Sequence, residues 1–567
     1  MPTKTRINGE NYTQLTRMVS DDIILKGLPQ TAGAPAGYGD LASAIYDLIN
    51  SILTVPVESF GALNTGLADA SDQINAAYDY ARANGYAAVS FGPGTFLANK
   101  KIDAFGVSTI GIVGSKLKSV VPASEGSAFR WGGSGTFVTG MEFELSNTTT
   151  ETPMQGVYNP ISNVSDQYLT RNKITCLTSR ASGASNIYGA WFDGAGLSAV
   201  HCHENEIIGA SYGIQLNNQA AGGADVNVNP IGSPSTGFFV SKNKLVDCAI
   251  GVNTPHIFMS DVFISKNEIT FSTKQVDMPI NLAHVNCFDV SGNTVICSKA
   301  AINGVVHLED AVQNGFVSMN YIKTTAANVG VYLSQQVGVS GDDPATGRVT
   351  ITDNIVEGST SSGAIAGILI PDANTFNCTV SDNKISNFGI GVESVGVNFV
   401  RNNELINCGS GVKFATSTAS THGNVFRGCT NIAVLGVNAV LCIEGGEIYG
   451  ATFSFSKGTN SCALLSNVSI RHESATTFAA GTPFNLFTCP ATYKFTGTAN
   501  ILISNMGFSK HTFTWDGAAF TPARVADAQL SSVGGITLSK SAAMIQGTAG
   551  TASGSGTIVC QIDGMVY

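Results

Sequence analysis

Charge is scarce in this chain. Asp, Glu, Lys and Arg together make up 12% of its 567 residues, about half the ~25% of an ordinary soluble domain. That scarcity excludes a coiled coil, whose heptads need Glu, Lys and Arg. It also excludes charge-driven disorder, which needs high charge and low hydrophobicity, whereas apolar residues here reach 43%. Positive charge is the scarcer sign, 30 Lys and Arg against 40 Asp and Glu. A nucleic-acid binder presents a basic face, so no nucleic acid is expected as a partner. No run reaches the ~18 consecutive apolar residues of a membrane span, so no membrane insertion is expected. The start, Met1-Pro2-Thr3-Lys4-Thr5-Arg6, leads into polar sequence; no signal peptide is expected there.

Gly (63 residues), Asn, Ser and Thr take the place of the missing charge. The 12 cysteines fall at repeated positions: Cys248, Cys408 and Cys429 each stand five residues after an Asn that opens the same local pattern. Cysteine behaves as a small apolar core residue, so these read as a stacked internal column of free thiols, made in a reducing compartment.

That local pattern is a repeat. Asn205-Glu206-Ile207-Ile208 leads to Gly213-Ile214, Asn243-Lys244-Leu245-Val246 to Gly251-Val252, Asn383-Lys384-Ile385-Ser386 to Gly391-Val392, and Asn403-Glu404-Leu405-Ile406 to Gly411-Val412. A degenerate copy runs from Asn424, and looser copies start at Asn172, Asn267, Asn293, Asn320 and Asn354. Steps of 24 (Asn243 to Asn267), 26 and 27 residues fit a solenoid coil with insertions at a fixed place. Alternation before each Asn, as in Val262-Phe263-Ile264-Ser265, and after each Gly, as in Gly330-Val331-Tyr332-Leu333, is strand periodicity. Asn and Gly tolerate left-handed corners, and an Asn amide can pair with its neighbour one coil away. The expected fold is all-β: a right-handed parallel β-helix over residues 105–478. Residues 1–55 are compositionally distinct and linker-like, with a short helix expected from Ala42 to Leu53. Residues 56–104 carry a helix from Ala70 to Asn84, with Ile74, Ala77, Tyr78 and Ala81 on one face, as a solenoid cap requires. Residues 479–567 lose the repeat and read as a separate β domain.

The run Phe60-Gly61-Ala62, Asp69, Gln73-Ile74, Ala77, Gly85 and Val89-Ser90-Phe91-Gly92-Pro93-Gly94-Thr95-Phe96 resembles the way tailspike depolymerases of bacteriophages, in the pectate-lyase-like β-helix superfamily, lead into their solenoid. Where that family commonly has Asp-Asp-Thr, this chain has Asp69-Ala70-Ser71-Asp72. The resemblance implies a homotrimer on a phage tail, made in the host cytoplasm. Residues 1–55 would join the virion, and the C-terminal domain would serve trimerisation or carbohydrate binding. It also implies depolymerisation of a bacterial capsular polysaccharide or other surface glycan. It carries over no catalytic residue, because the family shares no universal motif.

Alternation on the strand after each Gly points alternate side chains outward. The outward column then holds Trp191 and Asp193, Gln215 and Asn217, Asn253, His307 and Glu309, Tyr332 and Ser334, Asp372, Glu393 and Lys413. Stacked coils place these in one polar and aromatic stripe, suited to a polysaccharide. Trp191, Asp193, Gln215, His307, Tyr332 and Lys413 are the expected substrate-binding residues. Glu309, Asp372 and Glu393, with Asp310 replacing Glu309 if the register slips, are the expected catalytic carboxylates of a glycoside hydrolase. Two alternatives stand beside it. One is a lyase using Tyr332 or His307 as base with Lys413 or Arg348 as charge stabiliser; the other is a non-enzymatic receptor-binding spike. The run His201-Cys202-His203-Glu204 alternates across the strand, so its side chains do not converge on a metal, and no metal or cofactor is expected.

Overall fold

The computed structural model describes residues 54–566 except 148–153, 178–186, 217–234, 255–258, 273–277, 299–302, 326–327, 335–345, 360–364, 372–374, 376, 396–398, 416–417 and 437–439, and beyond residue 449 it describes the strands. The expected helix from Ala42 to Leu53 lies outside the described residues. The chain forms two compact units that divide at Asp289 and Val290.

After the short strands Thr54–Pro56 and Thr65–Asp69 the first unit forms the expected helix, α1, Ser71–Asn84, which buries Ile74, Ala77, Tyr78 and Ala81 and ends at Gly85 with φ 70°. Its buried Tyr78 hydroxyl bonds Thr109 Oγ1 at 2.7 Å, and its outer face is tied down by Asn75 Nδ2 donating to the Lys101 carbonyl. Parallel coils follow, each built from three strands. One coil runs Met154–Asn159, Ser165–Thr170 and Lys173–Cys176, and these stack in parallel on Ile187–Phe192, Ser198–His203 and Glu206–Ile208 of the next. The three stacks are the first, second and third walls. Consecutive parallel crossovers of this kind wind right-handed, so the expected right-handed parallel β-helix is the observed fold. Residues after the repeat glycine point inward as expected: Ile214 and Val252 are fully buried. The third wall gathers much of the scarce charge, with Glu142, Lys173, Glu206 and Lys244 in register on successive coils. Lys173 and Lys244 both pair with Glu206, at 3.8 and 3.1 Å.

The second unit repeats the plan. Val306–Glu309, Gln313–Ser318 and Tyr321–Thr324 stack on Val329–Leu333, Gly347–Thr352 and Ile355–Glu357. Val331, Ile368, Val392 and Val412 fill its interior. Parallel stacking ends at Cys462–Arg471, which pairs in parallel with Val440–Glu444 but antiparallel with Ile558–Val566. Antiparallel strands Phe495–Ile503, Gly507–Trp515 and Phe520–Ala528 continue that sheet.

The repeat Asn residues line the corner between the second and third walls, buried. In the first unit Asn172, Asn205 and Asn243 each donate Nδ2–H to Oδ1 of the next Asn, ending on Asn267, at 3.1, 3.0 and 3.0 Å. In the second unit the ladder runs from Asn293 through Asn320, Asn354, Asn383 and Asn403 to Asn424. The left-handed corner itself falls one residue earlier than expected, at Arg171, Glu204, Lys242 and Lys266 in the first unit. The Asn cannot turn the corner and also aim its amide along the axis. The repeat glycines correct the sequence reading too, because they serve close packing rather than a turn. A Cβ on Gly213 would meet the Gly251 carbonyl oxygen at 2.6 Å, and one on Gly391 the Gly411 oxygen at 2.5 Å.

Ten described cysteines are free thiols. Cys248 and Cys408 are buried as expected, while Cys429 is half-buried.

Candidate functional site

The first unit's first wall presents the outward column. In register on successive coils stand Arg130, Tyr158, Trp191, Gln215, Asn253 and Asn281. Trp191 is half-buried, with its ring edge-on to Tyr158 (centroids 5.7 Å) and Tyr188 (4.5 Å). Tyr188 leans on Tyr212 at 4.9 Å. Asp193, just past the Trp191 strand, accepts the Tyr158 hydroxyl at 2.8 Å. Gln215 and Asn253 are 6% exposed and Asn281 5%; they form an amide chain, Asn253 Nδ2 donating to Gln215 Oε1 at 2.8 Å and Asn281 Nδ2 to Asn253 Oδ1 at 2.9 Å. Arg130 lies 4.3 Å over the Phe105 ring. The wall thus grades from a cation through a cluster of rings to amides.

Trp191, Asp193 and Gln215 therefore share one surface. Sequence reasoning missed Arg130, Tyr158 and Asn281. The signal for Tyr158 was available, since Gly156-Val157-Tyr158 matches Gly189-Ala190-Trp191. At Asn281 the glycine position is taken by Pro279, which hides the motif.

The second unit's first wall carries His307, Tyr332, Leu369, Glu393 and Lys413 in register. His307 stacks on Tyr332 at 5.0 Å and an 18° interplanar angle, and its Nε2 lies 3.2 Å from Ser334 Oγ. His307 Nδ1 lies 3.6 Å from Glu309 Oε2. Val306 and Leu308 point inside, in register with Val331 and Leu333. Yet His307 is 1% and Glu309 5% exposed, so outward alternation here does not give solvent access. Asp310, at φ 46° beyond the strand end, is 1% exposed. Glu393 and Lys413 form an ion pair at 2.5 Å between neighbouring coils. Asp372 lies outside the described residues. Arg348, on the second-wall strand Gly347–Thr352, does not share the first wall with Tyr332.

The His201-Cys202-His203 run behaves as alternation requires. Cys202 is buried and its thiol is pushed up to about 12 by burial. His201 stacks between Tyr168 (4.5 Å) and Phe239 (4.8 Å) on the second wall. Among the described residues no three His, Cys, Asp or Glu side chains gather as a metal site, and no helix is long and apolar enough to cross a membrane.

No protein-family model matches the sequence, and no curated protein matches it. Among solved structures, the chain is similar to the tailspike protein of E. coli bacteriophage HK620 in complex with pentasaccharide. The identity is 13%, over 97% of this chain and 99% of that one, with a TM-score of 0.45. A double mutant of that tailspike gives 13% over the same shares with a TM-score of 0.48. A single mutant, also in complex with pentasaccharide, gives 13% and 0.47, again over 97% and 99%.

Proposed function

We propose that this chain is a bacteriophage tailspike that binds a bacterial surface polysaccharide, such as a capsule, and depolymerises it by glycosidic hydrolysis. The observation that carries this reading is the first unit's outward column, in which the half-buried rings of Tyr158, Tyr188 and Trp191 form one aromatic cluster joined to the Asp193 carboxylate. Aromatic surface takes the apolar face of a sugar and the Asp193 carboxylate accepts from hydroxyls, while the amides of Gln215, Asn253 and Asn281, as buried as Glu309, brace the wall by bonding one another. The ~4.8 Å step between coils repeats such contacts along an extended chain.

In the second unit Glu393, paired with Lys413, serves as one catalytic carboxylate. Asp372, two residues after Ile370 in the sequence, serves as its partner carboxyl, the pair of acids that glycosidic hydrolysis needs. Glu309 stands three coils from Glu393, about 14 Å along the axis and beyond the ~6.5–9.5 Å of an inverting pair. With its burial, that distance favours Glu309, and Asp310 beside it, as support for the His307–Tyr332 stack. Lys413 is likewise three coils from Tyr332. A lyase base and its charge stabiliser must meet at one sugar, so hydrolysis is the better fit. A homotrimer, attachment through residues 1–55 and a C-terminal domain for trimerisation or glycan binding complete the proposal.

Digestion of purified capsule tests it. New reducing ends without an unsaturated ultraviolet chromophore support hydrolysis. Ends with that chromophore would mean a lyase, and binding without cleavage a receptor-binding spike. Asp372→Asn and Glu393→Gln should each abolish turnover at unchanged melting, while a folded Glu309→Gln should keep it.

A further inference from the structure

Cys408 and Cys429 occupy the same place on successive coils of the second unit. Glu404–Ile406 pairs in register with Val425–Arg427, and Ser410–Phe414 with Asn431–Leu435. Between these strands the two coils turn alike, and the Thr430 N–H donates to the Cys408 carbonyl at 3.1 Å. Residues in register on stacked coils have α-carbons about 4.8 Å apart, inside the ~4.4–6.8 Å that a disulfide spans. The Cys429 side chain also reaches back to the coil of Cys408. Cys408 Sγ lies 3.5 Å from the Ile406 carbonyl oxygen and Cys429 Sγ 3.4 Å from the adjacent Leu405 carbonyl oxygen. Both thiols are free. Cys408 is buried, whereas Cys429 is half-buried and the more exposed of the two.

We propose that Cys408 and Cys429 form a redox-sensitive modification site, closing an intrachain disulfide between successive coils when the protein meets a small-molecule disulfide. The Cys429 thiolate attacks one sulfur of that disulfide, forms a mixed disulfide and expels the first small thiolate. Cys408 then gives up its proton and attacks the Cys429 sulfur, expelling the second. One small disulfide is reduced to two thiols, two protein thiols are oxidised to one bridge, and the two protons leave with the small thiols.

The acidities suit this order. The hydrogen bond from Cys408 holds the Cys429 thiol below its ordinary value, while the same bond and burial push Cys408 up. The more acidic, more accessible thiol attacks first and the buried one resolves. Cys560 differs, being fully buried with its thiol pushed up to about 12 by burial alone. The bridge joins the coil that carries Lys413 to the next one. It would form only after the chain leaves a reducing compartment, and it does not depend on the glycan reading.

The test uses the full chain in oxidised and in reduced glutathione, with thiols counted after denaturation and cysteine peptides mapped by mass. The expected result is two fewer thiols per chain in oxidised glutathione, one cross-linked Cys408–Cys429 peptide pair, and a raised melting midpoint that a reductant reverses. Cys408→Ser should stop at a glutathione adduct on Cys429, and Cys429→Ser should keep its remaining Cys408 thiol. An unchanged wild-type count, a loss through other cysteines, or a wild-type chain that halts at the glutathione adduct overturns the proposal. If either variant fails to fold, the wild-type peptide map alone decides.

Discussion

Tyr158 gives its phenolic hydrogen to Asp193 of the neighbouring coil at 2.8 Å, joining the ring cluster of the first wall to its nearest carboxylate. Burial first, and then the charge of Asp193, raise the Tyr158 phenol above its ordinary value. The folded chain therefore keeps this proton to higher pH than the unfolded chain. The resulting stability is whole below the ordinary tyrosine value of about 10 and is lost as pH rises above it. Thermal melts at stepped alkaline pH should show a shallower alkaline loss for Tyr158→Phe than for the wild type. Identical profiles would remove Tyr158 as the cause.

Trp191→Ala should weaken binding of capsule oligosaccharides about tenfold, since a lost ring contact contributes up to ~1.5 kcal/mol. Titration calorimetry with capsule fragments reads the loss directly. An unchanged affinity would place the sugar somewhere other than this wall.

Asn383→Ala should be among the most damaging single changes in the second unit. It leaves the Asn354 backbone N–H and side-chain amide without the oxygen they share, at 3.0 and 2.9 Å. It also removes the donor that Ile351 and Asn403 receive. Stranding buried donors costs about 3 kcal/mol. Denaturant unfolding should show that shift, and a loss below about 1 kcal/mol would mean that the ladder is ornamental to stability.

Two glycines should respond differently to alanine. Gly391 is extended but pressed against the Gly411 oxygen, so Gly391→Ala forces the coils apart at about 2–3 kcal/mol. Gly85, at φ 70°, has open space around it, so Gly85→Ala costs only the ~1–2 kcal/mol of a left-handed residue. Comparing the two melting midpoints checks the order, and the reverse order would mean that the repeat glycine is not placed for close packing.

The β-helix was legible because its two signals are positional. The Asn recurs where the ladder needs an amide, and the Gly-apolar pair recurs where two backbones nearly touch. The left-handed corner was misplaced because Arg171, Lys242 and Lys266 carry no turn signature of their own. Their conformation is imposed by the Asn that follows. The Glu393–Lys413 contact follows from equivalent positions on adjacent repeats. The burial of Glu309 and Asp310 does not, because alternation tells which way a side chain points and is silent on what covers it. Tyr158 escaped because its coil keeps the Gly-apolar-aromatic segment without the opening Asn of the clearest repeats.

The Asn ladder has a direction. In each unit one side-chain N–H of a ladder Asn points to the Asn oxygen of the following coil while the other holds a carbonyl of the preceding coil, so a partly wound solenoid ends in an amide with one N–H awaiting the next Asn. Winding then resembles growth of a one-dimensional crystal, in which the last layer templates the one to come. A coil slipped by one residue would turn its Asn away from the seam and strand donors on the layer before it. The ladder thereby proofreads register as the chain is added, rejecting a misplaced layer before the next can bury the mistake.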